Sequence, residues 1–213
     1  MAGAGTRNQS KFDPRRRRPP AQADKVLTTA LRLFDLHGYS ATTIEDIKLQ
    51  SEVSVGVIYH HFGSKEGIAG ALYVQSLHDF QRGLVRAIER RKPGAERAVK
   101  AAVGYHLEWM DENRARAAFM LRRRETEITQ ANRSDVSQLN QRLLEEIELW
   151  YRPRVEAGEI RDLSLPLLYS IWFGPTQEYA RSVLDGPPIR RDTRLADSAP
   201  TLADAAWAAL RPS

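Results

Sequence analysis

From Ala23 onward, apolar residues recur every three to four positions. That is the period of a helix with one buried face, and no stretch alternates convincingly at the period of a strand. Val26, Leu27, Ala30, Leu33 and Phe34 mark a first amphipathic helix, and Gly38 after His37 stops it as a C′ glycine does. Thr43 N-caps a short second helix carrying Ile44, Ile47 and Lys48, which ends near Gln50 or Ser51. Ser54 caps a third, Val55 to Phe62, with Ile58 and Phe62 on one face, and Gly63 stops it. Ser64 caps a long fourth helix, Lys65 to about Arg91, which Lys92-Pro93-Gly94 ends.

Five further helices follow the same period. They are expected at about 95–112, 114–124, 134–157, 165–184 and 201–210, with a polar loop over 125–133. Pro153 lies inside the third of these. Gly174-Pro175 is expected to interrupt the fourth, and Thr201 to cap the last. Gly186-Pro187-Pro188 opens a charged linker up to Asp197. The pattern predicts an all-α fold of about nine helices with no repeat period.

Composition narrows the possibilities. With 213 residues, 42% hydrophobic and 28% charged, the chain can bury a sizeable core without staples. The absence of cysteine excludes disulfides, thiolate metal sites and a cysteine nucleophile, and it fits a reducing compartment. No uncharged stretch approaches the ~20 apolar residues of a membrane span, and Met1–Pro20 lacks the apolar run of a secretory signal. A cytoplasmic location with no membrane partner is the expectation. The net charge of +5 equals that of the arm Met1–Ala23 alone, which holds Arg7, Lys11, Arg15, Arg16, Arg17 and Arg18 against Asp13. A disordered basic arm ahead of a near-neutral body suggests a polyanion nearby; a solubilising tail has the same composition.

Asp24–Tyr73 holds the most informative pattern. Three short helices fall within about 40 residues, and a tight turn joins the second to the third, which is helix-turn-helix geometry. In such a pair the second helix enters the DNA major groove while the first crosses the backbone. Ile44, Ile47, Val53, Ile58 and Phe62 are expected to bury against Leu31 and Phe34. This leaves Ser54, Val55, Gly56, Tyr59 and His60 on the opposite face of the third helix. Helix N-termini at Thr43 and Ser64 offer free N–H groups to phosphates, and Lys65 adds a cation.

The run Ala30-x-x-x-Phe34-x-x-x-Gly38-Tyr39-x-x-Thr42-Thr43-x-x-x-Ile47, followed by Val53-Ser54-x-Gly56-x-Ile58-Tyr59-x-His61-Phe62-x-Ser64-Lys65-Glu66, resembles the signature of the tetracycline-repressor (TetR/AcrR) family. The match covers about fifty residues. Phe173-Gly174-Pro175-x-x-Glu178-Tyr179-Ala180-Arg181 is similar to the penultimate helix of many members. The resemblance implies a disordered basic arm over 1–22, a DNA-binding domain over 23–68 and a helical ligand-sensing and dimerisation domain over 69–213. It implies that Thr43 touches a phosphate, that Ser54 and Gly56 approach base edges or backbone, and that Tyr59 meets a phosphate or a thymine methyl. His60 would face backbone, Lys65 would neutralise a phosphate, and Arg15–Arg18 would reach the minor groove or backbone.

Two positions depart from the family pattern. Val55 stands where Lys or Arg is frequent, and valine offers guanine no hydrogen bond, only an apolar contact to a thymine methyl. Glu52 stands where glycine is frequent. A positive φ there costs on the order of 1 kcal/mol relative to glycine, unless the turn takes another backbone path.

For the body, the resemblance implies a pocket and a dimer face. Pocket candidates are Tyr105, Trp109, Met110, Phe119, Met120, Leu143, Ile147, Trp150, Tyr169, Trp172 and Phe173, with Gln177 and Glu178 as polar anchors. The same aromatic stripes also describe a plain core. Ile171, Gly174, Tyr179, Val183, Trp207 and Leu210 on the last two helices are the expected dimer contacts. The implied protein is a dimeric repressor of a double-stranded DNA operator, released by a small-molecule effector. The alternative is an architectural DNA-binding protein without a ligand. No catalytic residue, cofactor or metal is expected: the chain has no nucleophile–base pair, phosphate loop or H-E-x-x-H spacing, and the adjacent His60 and His61 point apart on a helix.

Overall fold

A computed structural model describes residues 20–89, 94–122, 132–185 and 193–212. Chain entry is set by α1 (Ala21–His37), whose apolar stripe is wholly buried from Ala23 to Phe34. α2 (Ile44–Ser51) begins at a reciprocal cap. The Thr43 hydroxyl accepts the Asp46 N–H at 3.1 Å, and the Asp46 carboxylate accepts the Thr43 N–H at 2.8 Å. α3 (Val55–Phe62) starts at Ser54, whose Oγ accepts the Val57 N–H. The turn between α2 and α3 passes through Glu52 at φ 56°, ψ 25°, the left-handed conformation that glycine would occupy freely.

Ile47, Val53, Ile58, Phe62 and Phe34 are buried together, while Ile44 and Leu31 pack at the rim of this core. The turn into α4 (Lys65–Glu89) is as tight. Ser64 Oγ accepts the Gly67 N–H at 3.1 Å, and a Cβ on Gly67 would collide with the Phe62 carbonyl, so only glycine fits.

α4 joins the two halves. Ile68 to Leu77 belong to the core of α1–α3, and Phe80, Leu84 and Ile88 belong to the core of the body. The body is built from α5 (Ala95–Glu112), α6 (Arg114–Arg122), α7 (Arg133–Glu156), α8 (Leu165–Leu184) and α9 (Ala199–Leu210), with a 3-10 turn at Leu195–Ser198. Phe119 on α6 stacks on Phe34 at 5.9 Å and so fastens the body to α1. Trp172 anchors the interior: its indole N–H donates to the Val99 carbonyl at 3.1 Å, and its ring lies 5.2 Å from that of Trp150. The Tyr151 hydroxyl closes the α7–α8 connection through the Arg161 carbonyl and the Leu163 N–H, both at 2.6 Å.

Three expectations are corrected. Gly174-Pro175 does not interrupt α8, which runs continuously through Pro175. Proline removes only the N–H that would meet the Ile171 carbonyl, and packing of Trp172, Phe173, Thr176 and Ala180 holds the helix on both sides. Thr201 does not cap α9, because that helix starts at Ala199 with Pro200 in its first turn, where a missing N–H costs nothing. Val183 and Leu210, expected on the outer face of the last two helices, are instead 4% and 0% exposed and buried within their own chain, where α9 lies against α5 and α8.

Two stability measurements check the local picture. Glu52→Gly should raise the unfolding free energy by about 1 kcal/mol in urea titrations, by relieving the left-handed turn. Thr43→Ala should lower it by about 1 kcal/mol. The Thr43 hydroxyl first, and its N–H second, hold the Asp46 carboxyl below its ordinary value of 3.8. The cap contribution is therefore complete above that value and is lost as pH falls through the folded-state value. The stability gap between wild type and Asp46→Asn should accordingly narrow as pH drops from about 6 to about 3.

Candidate nucleic-acid interface and internal cavity

The amphipathic spacing of α3 separates its residues by role. Ile58 and Phe62 are buried, which turns positions 56, 59 and 60 outward. Ser54, Gly56, Tyr59 and His60 are exposed, while Val55, three residues before Ile58, is half-buried at the edge of that face. Tyr59 is 48% exposed, an unusual exposure for an aromatic side chain with free space around it. A Cβ on Gly56 would meet nothing within 4 Å. Internal packing thus gives no reason for glycine there.

Thr43 lies at the exposed start of α2, with its hydroxyl engaged in the cap. Lys65 differs from the expectation of a free phosphate-neutralising cation. Its ammonium donates to the Tyr39 carbonyl at 3.0 Å and the Thr42 carbonyl at 2.9 Å, and it sits 4.4 Å over the Tyr39 ring. The side chain therefore fastens the α1–α2 turn to the start of α4. Glu66 joins the same cluster and accepts from the Tyr39 hydroxyl at 3.2 Å. Its own N–H first, and the Ser64 hydroxyl next, hold its carboxyl below the usual range. Arg15, Arg16, Arg17 and Arg18 lie outside the described residues.

Where the two cores meet along α4, the body forms a cavity of about 470 Å³ that is partly open to solvent. Six residues named from the sequence line it: Trp109, Met110, Met120, Leu143, Tyr169 and Gln177. The others lie elsewhere. Tyr105 stacks on Phe80 and donates to its carbonyl at 3.2 Å, in the space a side chain at Gly83 would need. Phe119 faces α1, and Ile147, Trp150, Trp172 and Phe173 are core. Glu178 does not line the cavity: its side chain is 75% exposed and pairs with Arg181 at 3.6 Å.

Sequence reasoning missed the polar residues of this wall, Gln81, His106 and Asn140. Gln81 and His106 carried a signal, because each interrupts an otherwise apolar helical stripe. Gln81 falls between Leu77 and Leu84, and His106 between Val103 and Trp109. Gln81 donates to Asn140 at 2.9 Å. His106 is 1% exposed, and burial pushes its imidazole down to about 3, so it is neutral at physiological pH.

Residues 26–72 match the family model described as bacterial regulatory proteins, tetR family. The transcriptional regulator HbdR of Aromatoleum sp. (strain CIB) is 32% identical over 81 residues, which is 38% of this chain and 35% of that one. The chain thus matches about a third of this curated relative's length. Over the whole fold, the fatty acid degradation regulator FadR of Bacillus halodurans superposes with a TM-score of 0.74 at 18% identity, covering 92% of this chain and 100% of the other. FadR of Bacillus subtilis, solved in complex with stearoyl-CoA, gives 0.72 at 18% identity, covering 87% and 98%. Residues 26–72 thus carry the N-terminal pattern of the tetR family of bacterial regulatory proteins, and the chain around them has the fold of these solved regulators.

Proposed function

We propose that the protein is a dimeric DNA-binding transcriptional regulator, in which α3 reads the major groove of a pseudopalindromic operator and a small molecule in the body releases it. The outer face of α3 carries the reading: exposed Gly56, Tyr59 and His60 lie on a helix whose other face is locked into the core, with the capping Ser54 exposed at its start. Val55 directs that surface to thymine methyls rather than to guanine, so shape and apolar contact weigh heavily in its specificity. Helix N-termini at Thr43 and Ser54 supply backbone positioning.

One such head covers only a few base pairs. Two heads about 34–36 Å apart read successive major grooves, which makes a two-fold dimer the natural reader. The outer side of α8 suits the dimer contact. Leu167 is 47% exposed, Ile171 follows one turn later, and a Cβ on Gly174 would meet nothing within its own chain. Partly exposed Tyr179 and Trp207 extend the same expectation to the end of α8 and to α9.

The cavity supports ligand response and weighs against the ligand-free architectural alternative. The Bacillus subtilis FadR of similar fold was solved with stearoyl-CoA, which supports a ligand-holding body without naming this chain's ligand. Tyr73, Leu77, Phe80 and Gln81 put α4 directly on the cavity wall. A ligand that repacks this wall shifts α4 and changes the separation of the heads. A hundredfold loss of operator occupancy needs about 2.7 kcal/mol of preference for the DNA-incompetent state, and DNA must disfavour the ligand by the same factor.

Binding to the DNA upstream of the protein's own gene tests the reading. Tyr59→Ala should weaken specific binding by about tenfold or more with an unchanged melting temperature. Raising salt should weaken it along a log–log line with a slope of about −0.9 per phosphate contacted. Equal affinity of wild type and Tyr59→Ala, or binding indifferent to sequence, would contradict it.

A further inference from the structure

The polar groups on the cavity wall are unevenly satisfied. Gln81 and Asn140 bond each other, Gln177 donates to the Tyr169 hydroxyl at 3.0 Å, and Ser170 donates to the Pro166 carbonyl at 2.8 Å. His106 stands apart. It lines the same cavity, it is almost completely buried, and its Nδ1 has no hydrogen-bond partner. Buried polar atoms are nearly always paired, so an orphan on a cavity wall points to an absent occupant. Among the described residues, no Asp, Glu, Lys or Arg lines the cavity. Apart from Tyr73, the remaining wall is largely apolar, with Leu77, Phe80, Trp109, Met110, Leu143 and Leu165.

We infer that the ligand of this cavity is an uncharged, largely apolar molecule bearing a hydroxyl or carbonyl group, which hydrogen-bonds the His106 imidazole. An ion would lose its hydration in this site and find no counter-charge on the described wall. A pure hydrocarbon would leave the imidazole unpaired. Neutral imidazole offers one donor and one acceptor nitrogen, so both an alcohol and a ketone can be held. His106 also lies in edge contact with Phe80, at 4.7 Å between ring centroids, and 5.9 Å from Phe173. These rings fix the imidazole plane, so the group it meets is selected by position as well as by polarity. The inference rests on the proposal that this cavity is the effector site, and it adds the chemical class.

The experiment is calorimetric titration of the full chain with four ten-carbon probes at neutral pH: 1-decanol, 2-decanone, decanoate and decylammonium. The alcohol or the ketone should bind about a hundredfold more tightly than either ion. His106→Leu should weaken the neutral probe by about tenfold, since it removes the partner while keeping an apolar wall. In the wild-type protein, the imidazole ¹⁵N resonances of His106 should shift on saturation, a readout that needs no variant to fold. Either ion binding as tightly as the alcohol, no binding by either neutral probe, or unmoved His106 resonances would overturn the inference. Operator binding separates the two proposals. A neutral probe that binds through His106 without releasing DNA supports the chemical class and defeats ligand-controlled release. Release by decanoate or decylammonium alone does the reverse.

Discussion

Helix α4 is the constraint on which the rest of the structure depends. Its first half is buried in the core of α1–α3 and its second half in the core of the body. Protein interiors are close-packed, so a displacement of this helix must repack both cores rather than be absorbed by one. Its N-terminus is fastened to the DNA-reading unit through Lys65, which holds the Tyr39 and Thr42 carbonyls. Its middle forms part of the cavity wall through Tyr73, Leu77, Phe80 and Gln81. The same helix therefore carries the α1–α3 unit at one end and lines the cavity along its middle. A second fastening runs in parallel, where Phe119 of α6 stacks on Phe34 of α1 while Met120 and Leu121 face the cavity.

The reading unit was largely legible in the sequence because its structure is local. Thr43, Ser54 and Ser64 announce helix starts through side chain–backbone bonds within three residues, and each occurs as expected. The outward set on α3 followed from the placement of Ile58 and Phe62 alone. The partners of Lys65 were not legible, for a non-local reason. A lysine beside a helix N-terminus reads as a free cation until the chain 23 to 26 residues upstream is known to bring two carbonyls to it. Glu52 shows the reverse case. The left-handed turn was foreseen as a possibility, and the protein tolerates the strained residue there.

The body was legible as helices and not as a site. Aromatic residues at helical spacing look alike whether they fill a core or line a hollow, so Trp109 and Trp172 could not be separated before α5, α7 and α8 were placed around them. Val183 and Leu210, expected on the dimer face, are buried because the end of α8 and α9 pack into the body of their own chain, α9 against both α5 and α8. The polar residues that give the cavity its chemistry are few, and they are visible in the sequence only as interruptions. A single histidine in the α5 stripe and a single glutamine in the α4 stripe carry that information.

The most direct test of coupling through α4 is the distance between the two reading heads. The chain has no cysteine, so Leu49→Cys, at a position 66% exposed on α2 and away from the α3 face, places one spin label on each head of a dimer. Dipolar distance measurements would compare the free protein with protein saturated by 1-decanol, with occupancy checked by calorimetry on the same samples. The account predicts two distinct distances, with the liganded one departing from the 34–36 Å groove spacing. One unchanged distance with the cavity filled would contradict it, as would the absence of any intersubunit signal.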